Sequence, residues 1–160
     1  MIDQVCLNDA LLESAQEVFT TMISSNIEPC ESDQEIEGNS LLGSITFNGG
    51  LEGCLAICCS VPCAKTIAAN MLAMDPSEEM SEEEICDAFG EVTNMIMGSV
   101  KAKLQKIENT SEITISIPTV VKGKELQNSL GEGAHKTLLK VKFENEYITE
   151  LSILYRDSTE

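Results

Sequence analysis

The segment from residue 82 to about residue 107 constrains the fold most, because its apolar residues recur with the period of an α-helix. At about 100° per residue, part of this set falls within roughly 80° of arc: Ile85, Phe89, Val92, Ile96 and Val100. Ser81 and Glu84 have the spacing of a capping box, in which each side chain accepts a hydrogen bond from the other residue's backbone N–H. The pattern predicts a long helix that buries its apolar stripe.

The opposite face of the same helix carries polar residues. Another arc of roughly 80° contains Asp87, Glu91, Asn94, Gly98, Lys101 and Gln105, which we call the outward stripe. Asn and Gly both lower helix stability, Gly by about 1 kcal/mol relative to Ala. Helix stability alone does not explain their presence, so we interpret the outward stripe as a functional face.

The rest of the chain alternates between helical and strand patterns. Apolar spacing predicts a first long helix over residues 8–26 with Asn8 as its N-cap, and a short helix over residues 64–74 with Pro62 in its first turn. The strand patterns predict two hairpins, one joining residues 44–47 to 53–58 and the other joining residues 136–143 to 147–155. Alternation also predicts a strand over residues 113–117 that ends at Pro118, followed by a loop over residues 119–134. A length of 160 residues suits one domain, residues 1–160.

The two long helices resemble each other. When Glu13 is laid over Asp87, Glu17 falls on Glu91 and Thr20 falls on Asn94. An internal duplication with pseudo-two-fold symmetry explains this match, and so does chance similarity between two amphipathic helices. A threonine hydroxyl lacks the reach and the two-proton donor of a carboxamide, so only the second helix is expected to be functional.

Charge and composition exclude several classes of partner. The formal net charge is -17, with 27 acidic and 10 basic residues, which argues against binding to nucleic acid or to an anionic membrane. The sequence contains no apolar run long enough to span a membrane and no signal-peptide pattern. We therefore expect a cytoplasmic protein.

The cysteines and the single histidine do not form a recognisable metal motif. Cys54, Cys58, Cys59 and Cys63 are not arranged as Cys-x-x-Cys pairs, and in a reducing compartment they are expected to pack as small apolar residues. His135 has no second histidine to assist it and is expected to be structural. We expect the chain to bind no metal.

The outward stripe lacks the components of a self-sufficient active site. Glu91 and Asn94 have no nucleophile between them and no histidine to act as a base. A carboxylate can pair with a cation on a partner, and a carboxamide can hold a water by donating and accepting at once. In phosphoryl transfer, positioning an attacking water contributes much of the catalysis. These residues are therefore suited to completing the active site of another protein.

Two motifs carry a resemblance to a known family. Asp87-x-x-x-Glu91-x-x-Asn94 is followed, in the order that the family shows, by Pro118 within Ser-Ile-Pro-Thr-Val-Val-Lys-Gly. The chain resembles the CheC/CheX/FliY chemotaxis phosphatases, and the CheX type in particular. CheC-type members carry the motif on both long helices, whereas Thr20 stands in the amide position here, so the resemblance implies one site per chain.

The resemblance implies hydrolysis of the aspartyl phosphate of a CheY-like response regulator. Asn94 is expected to orient the attacking water, and Glu91 is expected to pair with the regulator's active-site lysine. Asp87, Gly98 and Lys101 are expected to contact the partner. The chain itself is expected to bind no cofactor, since the regulator brings its own magnesium ion.

The resemblance also implies an α/β (α+β) fold in which two long helices pack on an antiparallel sheet, with pseudo-two-fold internal symmetry, and a homodimer. An alternative keeps the same helix face but not the catalysis. In that hypothesis the chain is a binding module that docks a response regulator or a flagellar switch component.

Overall fold

The computed structural model describes residues 4–31, 36, 38–75, 77–108, 112–124, 126, 134–144 and 146–157. Within these ranges, three helices and seven strands follow one another in the order α1 (Gln4–Val18, continued by a π-helical turn Phe19–Ile23), β1 (Ile27–Pro29), β2 (Ser40–Asn48), β3 (Leu51–Ser60), α2 (Val61–Met71), α3 (Glu82–Glu108), β4 (Thr114–Ile115), β5 (Thr119–Gly123), β6 (His135–Phe143) and β7 (Tyr147–Asp157). None of the helices in these ranges is both long and apolar enough to cross a membrane.

The strands form one antiparallel sheet in the order β1-β6-β7-β3-β2, with β4 and β5 both paired to the outer edge of β2. The central pair is β3 with β7, where Leu55 lies opposite Ile153. Each half of the chain contributes a long helix and a hairpin, and its short strands pair with the hairpin of the other half: β1 with β6, and β4 and β5 with β2. This exchange of edge strands agrees with the expected pseudo-two-fold repeat.

The helices cover one face of the sheet and enclose the core. α1 contacts β1 and β6, α3 contacts β2, β3 and β5, and the two helices also contact each other. Phe19 of α1 packs edge to face on Phe143 of β6, with ring centroids 5.4 Å apart. Gly43 lets α3 approach β2 closely, because a Cβ there would collide with the side chain of Thr93 and lie 3.2 Å from the ring of Phe89. The position of α3 is therefore fixed by contacts made on its buried side.

Several predicted elements are confirmed. Both hairpins form at the predicted places, although each strand is longer than the alternating pattern indicated. Pro62 lies in the first turn of α2, and the side chain of Ser60 accepts a hydrogen bond from the N–H of Cys63 at the helix start. The predicted antiparallel sheet carrying two long helices is the observed fold.

The first helix differs from the prediction at both ends. The structure describes α1 from Gln4, so Asn8 lies inside the helix and is not its N-cap. Leu7 is fully buried one turn before Leu11, and this burial outweighs the preference of asparagine for a cap. At the other end a π-helical turn leads to Ser24, whose left-handed backbone (φ 57°) lets its N–H reach the carbonyl of Phe19.

The region after α3 also requires correction. The predicted strand over residues 113–117 is reduced to β4, and the predicted loop over residues 119–134 begins as a strand, β5. Pro118 interrupts the alternating pattern, but the β-branched residues after it resume pairing with β2. Much of the remaining predicted loop lies outside the described residues. β1 is a further strand that the sequence did not predict, and it ends at Pro29.

Candidate functional site

The predicted capping box fixes the start of α3. The N–H of Glu84 donates to Ser81 Oγ at 3.1 Å, and the N–H of Ser81 donates to Glu84 Oε1 at 3.2 Å. The first turn also carries Glu82 and Glu83, whose negative charges interact favourably with the helix dipole. The helix therefore begins at a defined residue.

The two faces of α3 lie as predicted. Phe89, Val92, Ile96 and Val100 are fully buried. On the outward stripe, Asp87 and Glu91 are exposed, and Asn94, Gly98, Lys101 and Gln105 are partly exposed. Glu91 and Asn94 are three residues apart, a spacing that places two side chains next to each other on a helix surface.

The side chains of Glu91 and Asn94 make no hydrogen bond or ion pair with any described residue. No hydrogen bond or ion pair among the described residues involves the side chains of Asp87, Glu91, Asn94 or Lys101. The neighbouring Thr93 behaves differently, because it is buried and donates from Oγ1 to the carbonyl of Phe89 at 2.9 Å. The Asn94 carboxamide is therefore held on a fixed helix with its donors and acceptor available to a partner.

The connection between β4 and β5 borders this face. Gly90 is buried, and a Cβ there would lie 3.4 Å from Val120 Cγ2 and 3.9 Å from Pro118 Cγ. The Pro118 segment therefore packs against α3 at Gly90, whose neighbours on the helix surface are Asp87 and Asn94. A packing role for Pro118 follows from these contacts.

Comparison with known proteins identifies the family. The family model described as "Chemotaxis phosphatase CheX" matches residues 41–142, which include the β2–β3 hairpin, α3 and the Pro118 segment. The chain belongs to the CheX family. No curated protein sequence matches it.

Solved structures of CheX-family and related proteins have the same fold. The chemotaxis protein CheX from Vibrio vulnificus is 22% identical with a TM-score of 0.79, and the match covers 98% of this chain and 100% of that one. CheX from Borrelia burgdorferi, in a CheX-CheY-BeF3-Mg complex, is 21% identical with a TM-score of 0.75 and the same coverage. FliY from Thermotoga maritima is 18% identical with a TM-score of 0.66, covering 91% of this chain and 83% of that one. At these identities the similarity establishes the fold alone.

In the first long helix of this CheX-family chain, Glu17 bonds to residues of α3. Both carboxylate oxygens of Glu17 accept hydrogen bonds from Lys103 Nζ at 3.0 Å, and Oε2 also accepts one from Ser99 Oγ at 3.0 Å. The bonds from Lys103 and Ser99 lower the pKa of the Glu17 carboxyl. The stability that the pair contributes is thus present above the unfolded pKa of Glu17 and is lost as the pH falls through the lowered folded value. Since the Glu17 side chain is 59% exposed, the pair contributes only about 0 to 1 kcal/mol.

Thr20, which aligns with Asn94, lies in the π-helical turn after α1. Its hydroxyl donates to Asn26 Oδ1 at 3.3 Å. At the two positions aligned with Glu91 and Asn94, the first half of the chain therefore carries an ion-paired carboxylate and a hydroxyl. The sequence predicted the lack of the amide but not the ion pair with Lys103, because no local spacing signals a contact between two helices.

The surroundings of the cysteines and of the histidine fit structural roles for these residues. All seven cysteines are free thiols, and burial raises the pKa of Cys59 well above its ordinary value. His135 lies over the ring of Tyr155, with centroids 5.3 Å apart. Within the part of the chain that the structure describes, no three His, Cys, Asp or Glu side chains are grouped in a way that could hold a metal ion.

Proposed function

We propose that this CheX-family chain hydrolyses the aspartyl phosphate of a CheY-like response regulator. The observation that carries the proposal is the pairing of Glu91 and Asn94 on one accessible face of α3, with neither side chain engaged by the described residues. The CheX–CheY complex of Borrelia burgdorferi supports the choice of partner. In the reaction, water attacks phosphorus, the bond between phosphorus and the aspartyl oxygen breaks, and the products are inorganic phosphate and a free carboxylate.

In this proposal Asn94 acts on the attacking water. A carboxamide oxygen can accept a hydrogen bond from the water while the NH₂ group donates to a phosphoryl oxygen. Orienting one water in line with the bond that breaks lowers the entropic part of the barrier. The buried side of α3 fixes the helix, so the amide needs only small rearrangement when it enters the partner's site.

Glu91 is proposed to bind rather than to react. Its carboxylate would pair with the ammonium group of the regulator's active-site lysine and so set the depth at which α3 docks. Asp87, Gly98 and Lys101 lie along the same stripe and are proposed to contact the regulator on either side of this pair. The magnesium ion would be held by the regulator. The proposal also includes a cytoplasmic location and a homodimer. Sedimentation equilibrium would measure the mass of the dimer.

A panel of receiver domains tests the function. Each domain is phosphorylated with a labelled small-molecule phosphodonor, and loss of label is followed with and without the chain. We expect one or more receivers to lose label faster in its presence, at a rate that rises with its concentration. The alternative binding module would retain a phosphorylated receiver in a pull-down without changing its rate of dephosphorylation. If no receiver binds the chain and none loses label faster in its presence, both functions are rejected.

Gly98 provides a test of how closely the partner approaches. A Cβ at this position has no heavy atom within 4 Å of it, and alanine is more favourable than glycine in a helix by about 1 kcal/mol. The Gly98→Ala variant is therefore expected to unfold at a higher urea concentration. If the regulator's backbone packs on Gly98, the KM for the phosphorylated receiver should nevertheless rise severalfold. An unchanged KM in the stabilised variant would remove Gly98 from the contact surface, and Gln105→Ala on the same stripe serves as the control.

A further inference from the structure

Ile117 lies in the connection between β4 and β5 and is the most exposed large apolar side chain among the described residues, at 86%. Single exposed apolar residues are common on protein surfaces and usually need no explanation. The surroundings of Ile117 distinguish it from such cases.

The residues on both sides of Ile117 are held in place. The N–H of Ser116 donates to the carbonyl of Thr46 at 2.9 Å, and the N–H of Thr46 donates to Ser116 Oγ at 3.0 Å. On the other side, Pro118 packs near Gly90 of α3, and β5 begins at the next residue with Thr119 opposite Ser44. The apolar side chain is thus presented to solvent by an ordered segment. Because the backbone on both sides is already held, little further ordering of this segment is needed when a partner covers Ile117.

The position of Ile117 relative to the outward stripe of α3 is also defined. Pro118 lies against Gly90, whose neighbours on the surface of α3 are Asp87 and Asn94, so the segment that carries Ile117 borders the outward stripe on that side. The exposed side chains along this part of α3 are acidic, including Glu83, Asp87 and Glu91. Lys122 of β5 is already paired with Glu82 at 2.9 Å. An apolar residue near carboxylates that no described residue pairs with matches a partner surface that offers an apolar patch beside a lysine.

We infer that Ile117 is an apolar anchor for the phosphorylated response regulator. This inference rests on the proposed function and adds a specific contact to it. When the regulator docks, Ile117 becomes buried against it while Glu91 reaches the lysine. Buried apolar anchors carry a large share of binding energy at protein interfaces. Because Ile117 does not touch the reacting atoms, it acts on binding and positioning and not on the chemical step.

Steady-state kinetics of Ile117→Ser test the inference with the receiver that the wild-type chain dephosphorylates fastest. We expect KM to rise roughly ten- to a hundredfold, the effect of leaving an isoleucine side chain unburied, with kcat changed by less than about twofold. Ile117→Leu should restore KM. The midpoint of urea unfolding should not change, because the side chain is exposed in the free protein.

Val121→Ser is the matched control. Val121 is 46% exposed and belongs to the same segment, but Val120 faces α3, so Val121 points to the opposite side of the sheet. An unchanged KM in Ile117→Ser, or an equal rise in Val121→Ser, would overturn the anchor while leaving the phosphatase function intact. If the wild-type chain accelerates no receiver, the function and the anchor are both rejected.

Discussion

Replacing Asn94 by alanine should lower kcat for regulator dephosphorylation by roughly two to three orders of magnitude, or about 3 to 4 kcal/mol of transition-state stabilisation. The carboxamide is partly exposed and no described residue bonds to it, so the substitution removes no intramolecular hydrogen bond within that part of the chain. The fold and the docking surface should therefore be retained. Single-turnover loss of label from a phosphorylated receiver measures the rate, and calorimetry with a BeF3-activated receiver measures the affinity.

The matching variant on the other long helix provides the control. Thr20 occupies the aligned position in the first helix, but its hydroxyl bonds to Asn26 and the neighbouring Glu17 is paired with Lys103. Thr20→Ala should therefore leave the rate within about twofold of wild type. A full rate in Asn94→Ala would exclude the amide from catalysis and favour the docking module. A large loss in Thr20→Ala would instead indicate a second site on the first helix.

The sequence predicted the parts of the site that depend on local chemistry. The two faces of α3 follow from the 3.6-residue period, and the capping box of Ser81 and Glu84 follows from their spacing. The hairpins follow from alternation and turn residues. These signals lie within a few residues of one another, so they can be read without knowing which elements meet in space.

The parts that escaped prediction depend on contacts between distant segments. Ile113, Ile115 and Ile117 alternate and were expected on one face of one strand, yet Ile113 is buried at 2% and Ile117 is exposed at 86%. The hydrogen bonds between Ser116 and Thr46 end the regular alternation after Ile115. Similarly, Glu17 looked equivalent to Glu91 in sequence, and only the packing of α1 on α3 brings Lys103 to it. The two helices therefore differ in the tertiary contacts of their aligned glutamates as well as in Thr20.

Charge at residue 91 should control binding more strongly than any other surface charge of the outward stripe. Glu91→Gln keeps the size of the side chain but loses the charge, and a hydrogen bond to a charged group contributes about 1.5 to 3 kcal/mol, so kcat/KM should fall roughly ten- to a hundredfold. Glu91→Lys places two ammonium groups together and should lower kcat/KM by at least about a further tenfold. Both variants should fold normally, because Glu91 is exposed and unpaired among the described residues.

Ionic strength separates the proposed contact at Glu91 from a general effect of net charge. Glu28→Lys makes the same change of charge on β1, at the edge of the sheet opposite to β4 and β5. A long-range effect is screened beyond about 8 to 10 Å at moderate salt, so Glu28→Lys should match wild type at 0.15 M salt and differ only at low salt. A close pair that is shielded from water by docking is screened much less, and the defect of Glu91→Lys should persist at 0.15 M salt. Equal kcat/KM for wild type, Glu91→Gln and Glu91→Lys at that salt would contradict a lysine partner. The binding of an ammonium group depends on the sign of the charge placed beside it.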